Sequence, residues 1–278
     1  MKRKTIKNEV HFSGIGLHSG EKVNIILKPN HNHDGIVFIK NNNIIPARYN
    51  NVIDTRLGTT IGNGTEKILT IEHLMAAIWC CNIDDLIIEM DNQEVPILDG
   101  SAINFVDEIK KAGVATLNEN RKYLKVLKEI EVVEEDKHIK LLPSNEFNID
   151  ITVEFNYGNI GKQHFNFNGN KDIFIEEIAN CRTFCNESEI NYMRSVGLAK
   201  GGSLDNAMVF NNDGIINDSG LRYKDEVVKH KLLDCVGDLF TSGYNVLASV
   251  ISHKGGHTLN NKILQKLFEN KSNFELVE

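Results

Sequence analysis

Within Tyr223 to Tyr244, YKDEVVKHKLLDCVGDLFTSGY, the residues Val227, Val228, Leu232, Val236, Leu239 and Phe240 recur at helical spacing, and Gly243 stands where such a run would stop. The segment is expected to be an amphipathic helix of ordinary length. His230, Asp234 and Asp238 follow one another at intervals of four. At roughly 100° per residue, side chains four apart share one line of the cylinder, so an imidazole and two carboxylates occupy one stripe. A helix can offer ligands to a metal in this way. The same spacing is common on solvated helix faces, so a second element has to decide between the two readings.

A chain of 278 residues exceeds one small domain and suffices for two, each with its own core. With 41% hydrophobic and 25% charged residues it falls near globular averages, which excludes a fibrous or disordered chain. The start, MKRKTIKNEVHFSG, is basic without an apolar segment behind it, and no run approaches the ~20 apolar residues of a membrane span. A cytoplasmic protein with no transmembrane segment is expected. The net charge of −7 leaves no basic field for a polyanion, so nucleic acid is not expected as a partner, and any phosphate would be met by a few local lysines. The five cysteines are odd in number and lie in apolar surroundings, as reduced packing residues do. Cys181 and Cys185 have a zinc-type spacing but lack a second pair to complete four ligands.

The chain opens with a strand at Val23 to Leu27 among turn-forming glycines, further short strands around Gly35 to Lys40 and Ile44 to Tyr49, and a polar loop from Thr55 to Gly64. Thr70 is placed to cap a helix beginning Ile71, Glu72, His73 and running through Ile78. A strand follows at Leu86 to Met90 and a helix from about Ala102 to Ala112. The polar segment Thr116 to Lys122 reads as a boundary, dividing residues 1–118 from 119–278. The second part places strands near Leu124 to Val133, His138 to Pro143 and Asn148 to Phe155, then a turn-rich stretch of Asn and Gly. A helix at Ser188 to Val196, a strand at Ala207 to Phe210, the first-named helix, a strand from Asn245 to Ser252 and a helix from Thr258 to Asn270 complete it. Strands first and helices after in each half indicate an α+β fold of two similar domains, with an old duplication as one origin.

A catalytic zinc takes three protein ligands and leaves a position for water, and His73, His230 and Asp234 would supply a His, His, Asp set from two distant helices. Glu72 then stands beside the metal as a base, because neighbours on a helix diverge enough for one to bind metal and the other to reach its water. His257, in a glycine-flanked turn at the mouth of a helix, is a candidate acid, and Asp238 is placed to hold it charged by a hydrogen bond. Iron(II) would suit the same ligands.

The segments SGIGLHSG (13–20), TIEHLMAAI (70–78), VPILDGSA (95–102), CRTFCN (181–186), GLAKGGSLDNA (197–207), GLRYKDEVVKHKLLDCVGDL (220–239) and KGGHTLNNK (254–262) together resemble the bacterial UDP-3-O-acyl-N-acetylglucosamine deacetylases of lipid A synthesis, a Gram-negative pathway toward lipopolysaccharide. The resemblance spans nearly the whole chain in order. It implies a hydrolase with one Zn2+ per chain that removes acetate from a UDP-linked acylated amino sugar. By this likeness His73, His230 and Asp234 hold the zinc, Glu72 is the base, and His257 backed by Asp238 is the acid. The likeness further implies that Thr183 steadies the oxyanion, that Lys231 and Lys254 lie near the diphosphate, and that Phe184 belongs to an apolar passage for the acyl chain. The family fold implies two α+β domains, each a helical layer on a sheet, with the active site between them and inserts at about 42–60 and 183–206. Ile190, Val196 and Leu204 could line the same passage or be core. Two departures stand out: Gly58 where relatives often carry cysteine, and Glu189 as the nearest match to a substrate-contacting carboxylate that is often Asp. The chain ends soon after its last helix, so no fused dehydratase is expected, and nothing in the pattern demands a dimer. The readings from other classes are a metal amidase or peptidase without an acyl passage and a non-enzymatic binding module.

Overall fold

The computed structural model describes residues 1–278, a mixed α/β chain built on two main sheets. Strand β1 (Lys2–Ile6) precedes a hairpin of β2 (Val10–Ile15) and β3 (Lys22–Pro29) and a second hairpin of β4 (Ile36–Lys40) and β5 (Asn43–Pro46). In β3 the alternation is physical: Val23, Ile25 and Leu27 are buried while Lys22 and Asn24 face solvent. The short strands β6 (Val52–Asp54), β7 (Thr60–Gly62) and β8 (Lys67–Ile68) form an antiparallel sheet of their own. After helix α1 (Glu72–Cys80), strand β9 (Leu86–Met90) inserts between the hairpins, antiparallel to β3 and parallel to β4, and helix α2 (Ile103–Ala112) follows. The resulting order is β2-β3-β9-β4-β5.

Strand β10 (Val114–Asn120) turns back to pair with β1. Beyond it come β11 (Tyr123–Val126), β12 (Ile130–Glu134), β13 (Lys137–Pro143), β14 (Phe147–Phe155) and β15 (Gly161–Phe167), then the short helix α3 (Lys171–Ile173), which continues as a wider helical turn to Ile178. Strand β16 (Phe184–Asn186), helix α4 (Glu187–Ser195), and strands β17 (Met208–Asn211) and β18 (Gly214–Ile215) make a small separate layer. Helix α5 (Glu226–Phe240), strand β19 (Asn245–His253), helix α6 (His257–Phe268) and strand β20 (Phe274–Val277) end the chain. β19 is antiparallel to β13 and parallel to β14, so β12-β13-β19-β14-β15 repeats the order and the senses of the first sheet strand for strand. The first three residues of β19 pair instead with β11, which carries β20 on its far side.

α1 and α5 pack against each other between these sheets. All nine residues of α1 are buried, and of α5 only Lys231 is partly exposed. The amphipathic helix expected at Tyr223 to Tyr244 is therefore wrapped on every side, and its polar stripe must find partners inside the protein. Leu74, Met75 and Ile78 of α1 and Leu232, Val236 and Leu239 of α5 belong to one continuous apolar cluster. Full burial of each such side chain stabilises the fold by ~1.5–3 kcal/mol before conformational entropy is counted.

Several sequence expectations give way to long-range pairing. The boundary segment Thr116 to Lys122 is mostly β10, a polar strand held by β1. The Asn- and Gly-rich stretch contains β15, paired along its length with β14. Leu124 to Val133 divides into β11 and β12, and the loop Thr55 to Gly64 contains β7. Thr70 does not cap α1: it adopts φ +59° and donates its hydroxyl to Glu94 at 3.0 Å, while Ile71 takes the cap position without a side-chain hydrogen bond.

Candidate active site

Gly237 sets the distance between α1 and α5. A Cβ there would lie 2.0 Å from the Glu72 carbonyl oxygen, so a residue with no side chain lets the two helix backbones touch. Close approach brings His73 of α1 against the polar stripe of α5. His73 Nε2 lies 3.5 Å and His230 Nε2 3.4 Å from Asp234 Oδ1, and one ligand atom from each of the three residues falls within 4.8 Å of the others. All three side chains are buried.

The His230 Nδ1–H donates to the Cys181 carbonyl at 3.0 Å, which leaves the Nε2 lone pair facing the cluster. Burial pulls the His230 imidazole down to about 4, so it is neutral near pH 7. Burial alone would push the Asp234 carboxyl up, but His230 and Lys231 beside it hold it well below the usual carboxylate range. Asp234 Oδ1 has no hydrogen-bond partner although it is buried. An orphaned carboxylate oxygen between two imidazole nitrogens fits a dication such as zinc or iron(II), which takes this donor set.

Glu72 stands next to His73 in the first turn of α1, and its Oε2 accepts the Thr59 N–H at 2.9 Å. Burial raises its carboxyl, and the charges of His257 and His73 offset part of the rise. The loop that supplies Thr59 lies flat on this carboxylate: a Cβ on Gly58 would come 2.9 Å from Glu72 Oε1. Gly58 thus borders the candidate base.

On the other side of the cluster, His257 opens α6, and its Nε2 is 3.8 Å from Asp234 Oδ2. Its Nδ1–H donates to Asp238 Oδ2 at 2.8 Å. Burial pulls the imidazole down, but the Asp238 carboxylate pushes it further up, to about 9. Asp238 also accepts Asn260 Nδ2–H on Oδ2 and the Thr59 hydroxyl on Oδ1. A carboxylate able to take a proton and an imidazolium able to give one therefore flank the same three candidate ligands.

Two cavities adjoin each other beside this cluster. The smaller, of about 340 Å³, is bordered by His230, Asp234 and His257 together with Lys231 and Lys254. The larger, of about 720 Å³, is walled by Phe155, Phe184, Ile190, Met193, Leu204 and Val209 among others. Thr183, Phe184, Lys231 and Lys254 border both. Val196 is half exposed and stands outside the cavity. The segment carrying Thr183 is mounted on a buried ion pair, Arg182 Nε to Glu226 Oε1 at 2.9 Å, and on Thr183 N–H to the Gly100 carbonyl at 2.8 Å.

Lys231 reaches inward to Asp234 Oδ2 at 2.7 Å, and Lys254 sits between Asp136 and Glu154 at 2.9 and 2.7 Å. Glu189 borders the larger cavity. Thr59, Asn260 and Lys137 also belong to the site and were not picked out from the sequence. Their only signal was proximity in sequence to Gly58, His257 and the β13 start.

A sequence model of the family described as UDP-3-O-acyl N-acetylglycosamine deacetylase matches residues 3–269. The UDP-3-O-acyl-N-acetylglucosamine deacetylase of a Nitratiruptor species is 43% identical over 280 residues, covering 100% of this chain and 94% of that protein. The protein of the same name from Nautilia profundicola is 44% identical, covering 100% and 95%, and that from Helicobacter hepaticus 42%, covering 100% and 93%. Likeness of this extent covers the helices that bear His73, His230 and Asp234 as well as the loops that border them, and the chain belongs to the UDP-3-O-acyl N-acetylglycosamine deacetylase family.

Proposed function

We propose that this protein hydrolyses the acetamide of UDP-3-O-(3-hydroxyacyl)-N-acetylglucosamine, giving UDP-3-O-(3-hydroxyacyl)-glucosamine and acetate, an early committed step of lipid A biosynthesis. One observation carries the reading: in a chain that matches this family over residues 3–269, Glu72, His73, His230, Asp234 and His257 converge from three helices beside an apolar cavity. Residues 1–118 and 119–278 are two α+β domains with the site between them, a division supported by the repeated strand order of the two sheets. The inserts at about 42–60, the first residues of which form sheet strand β5, and 183–206 border the site through Thr55, Leu57, Thr183 and Phe184.

His73, His230 and Asp234 would hold the cation, zinc or iron(II), which when bound would polarise the amide carbonyl and make water acidic enough to be deprotonated near neutral pH. Glu72 takes the proton as the water oxygen adds to the carbonyl carbon. The Thr183 hydroxyl donates to the oxygen that becomes negative. His257, charged and braced by Asp238, gives its proton to the sugar nitrogen as the C–N bond breaks, so the products are acetate and an amine. Lys231 and Lys254 receive the diphosphate, for which Lys254 exchanges its carboxylate partners. Phe184 and the larger cavity receive the acyl chain.

No helix of the chain is long and apolar enough to cross a membrane. We propose that the protein works in the cytoplasm as a monomer. The test is acetate release from the acylated substrate by the purified protein, with and without a chelator, beside UDP-N-acetylglucosamine. Chelator-sensitive turnover that requires the acyl chain is expected. Equal turnover of both substrates would point to a broader metal amidase, and none after zinc is restored would end the enzyme reading.

A further inference from the structure

Thr59 lies between the two groups that are proposed to move protons. It is buried, 2% exposed, on the loop that enters β7. All of its polar groups are engaged. The N–H donates to Glu72 Oε2 at 2.9 Å, and the carbonyl accepts the Ile71 N–H at 3.2 Å, just ahead of α1. The hydroxyl donates to Asp238 Oδ1 at 2.5 Å and stands 3.4 Å from His257 Nδ1. One residue thus touches α1, α5 and α6 at the three places where the candidate base, the brace and the candidate acid are carried.

The distribution of donors on Asp238 shows what the hydroxyl does. Oδ2 receives two hydrogen bonds, from His257 and Asn260, while Oδ1 receives its one side-chain donor from Thr59. Without that hydroxyl, Oδ1 would be a buried carboxylate oxygen with no partner, and the carboxylate would be free to turn about its Cβ–Cγ bond. The His257 ring would turn with it. The same loop presses on the base, since Gly58 has no Cβ to hold it off the Glu72 carboxylate.

We infer that Thr59 is a positioning residue that sets the separation and orientation of the Glu72 carboxylate and the His257 imidazole by hydrogen-bonding Glu72 directly and His257 through Asp238. The inference rests on the roles given to Glu72 and His257 in the proposed reaction. It adds a residue that touches neither substrate nor cation yet ties the two proton-carrying groups into one unit. Displacement of a catalytic group by about 1 Å can cost about 100-fold in rate.

The test uses the full-length, metal-loaded protein and its Thr59→Val and Thr59→Ser variants. Valine keeps the shape and removes the donor, whereas serine keeps the donor. Four quantities are read: kcat and KM on the acylated substrate, metal content per chain, and the NMR resonance of the His257 Nδ1–H. Thr59→Val is expected to lower kcat about 30- to 100-fold with KM within about twofold, to retain its metal, and to shift or broaden the His257 resonance. Thr59→Ser is expected to return kcat to within about threefold of the parent and to restore the resonance. A Thr59→Val protein with unaltered kcat and resonance would overturn the inference. So would a serine variant as impaired as the valine one, which would show that the methyl group and packing are what matter. If the parent protein itself releases no acetate, the proposed reaction falls, while the His257 resonance still decides whether Thr59 holds the Asp238–His257 pair.

Discussion

Gly237 of α5 rests directly on the carbonyl oxygen of Glu72 in α1, which a Cβ would approach to 2.0 Å. The contact couples the packing of the two helices to the placing of Glu72 and His73 on one side and Asp234 and Asp238 on the other. Gly237→Ala forces the helices apart. Overpacking of a well-filled core typically costs ~1–3 kcal/mol, and a variant destabilised by that amount in urea unfolding, with at least tenfold weaker metal binding, is expected. Unchanged stability and metal content would show that the helices can separate without penalty.

Asp234 Oδ1 is buried without a partner between two imidazole nitrogens. A cation that binds only the folded state stabilises it by about 2.7 kcal/mol when present at 100 times its dissociation constant. Chelation should therefore lower the melting temperature of the parent protein. Asp234→Asn, which keeps the shape but weakens the donor, should bind metal at least ~100-fold less tightly and should lose the chelator effect on melting. Metal analysis and calorimetry check both statements.

Lys171 gives a pH dependence remote from the ligands. Its Nζ donates to the Trp79 carbonyl at 2.6 Å and to Asn82 Oδ1 at 2.8 Å, and lies 4.6 Å from the centre of the Trp79 ring. Burial, with the charge of Arg121, lowers this ammonium from its ordinary 10.5 to about 7. Between those values the unfolded chain keeps a proton that the folded protein has released, so this group makes stability rise with pH from about 7 to 10.5 and contributes no slope below that window. Lys171→Met removes the slope. Its stability relative to the parent should be higher at pH 6.5 than at pH 10, by up to ~4 kcal/mol, since each pH unit between the folded and unfolded values is worth about 1.36 kcal/mol. Urea titrations at the two pH values measure the difference.

Phe184 joins the two cavities, with its ring 6.0 Å from that of His230 and 5.2 Å from that of Phe155. Phe184→Ala removes apolar wall where the acyl chain is proposed to pass. KM for the acylated substrate should rise about tenfold, equivalent to ~1.4 kcal/mol, and any slow turnover of UDP-N-acetylglucosamine should be unaffected. An equal loss on both substrates would assign the ring to the metal cluster instead.

The stripe of His230, Asp234 and Asp238 was legible in the sequence because four-residue spacing on a helix is local geometry, and the same holds for the adjacent pair Glu72 and His73 at the start of α1. Strands with apolar alternation, such as β3, were legible for the same reason. Segments whose structure depends on a distant partner were not. β10 is polar and shows no strand pattern of its own until β1 pairs with it, and β15 was hidden among Asn and Gly until β14 gave it a register. Thr70 had the chemistry of a cap, but Glu94, 24 residues away, took its hydroxyl. The burial of α5 on all sides also lay beyond periodicity, since a polar stripe reads as solvated when its partners are unknown. Tertiary structure alone decided that Gly237 would admit α1, that His73 would meet Asp234, and that Thr59 would reach both Glu72 and Asp238. Residue types and their local spacing follow from the chain, whereas the ångström-scale distances that make a site follow from how separate elements pack.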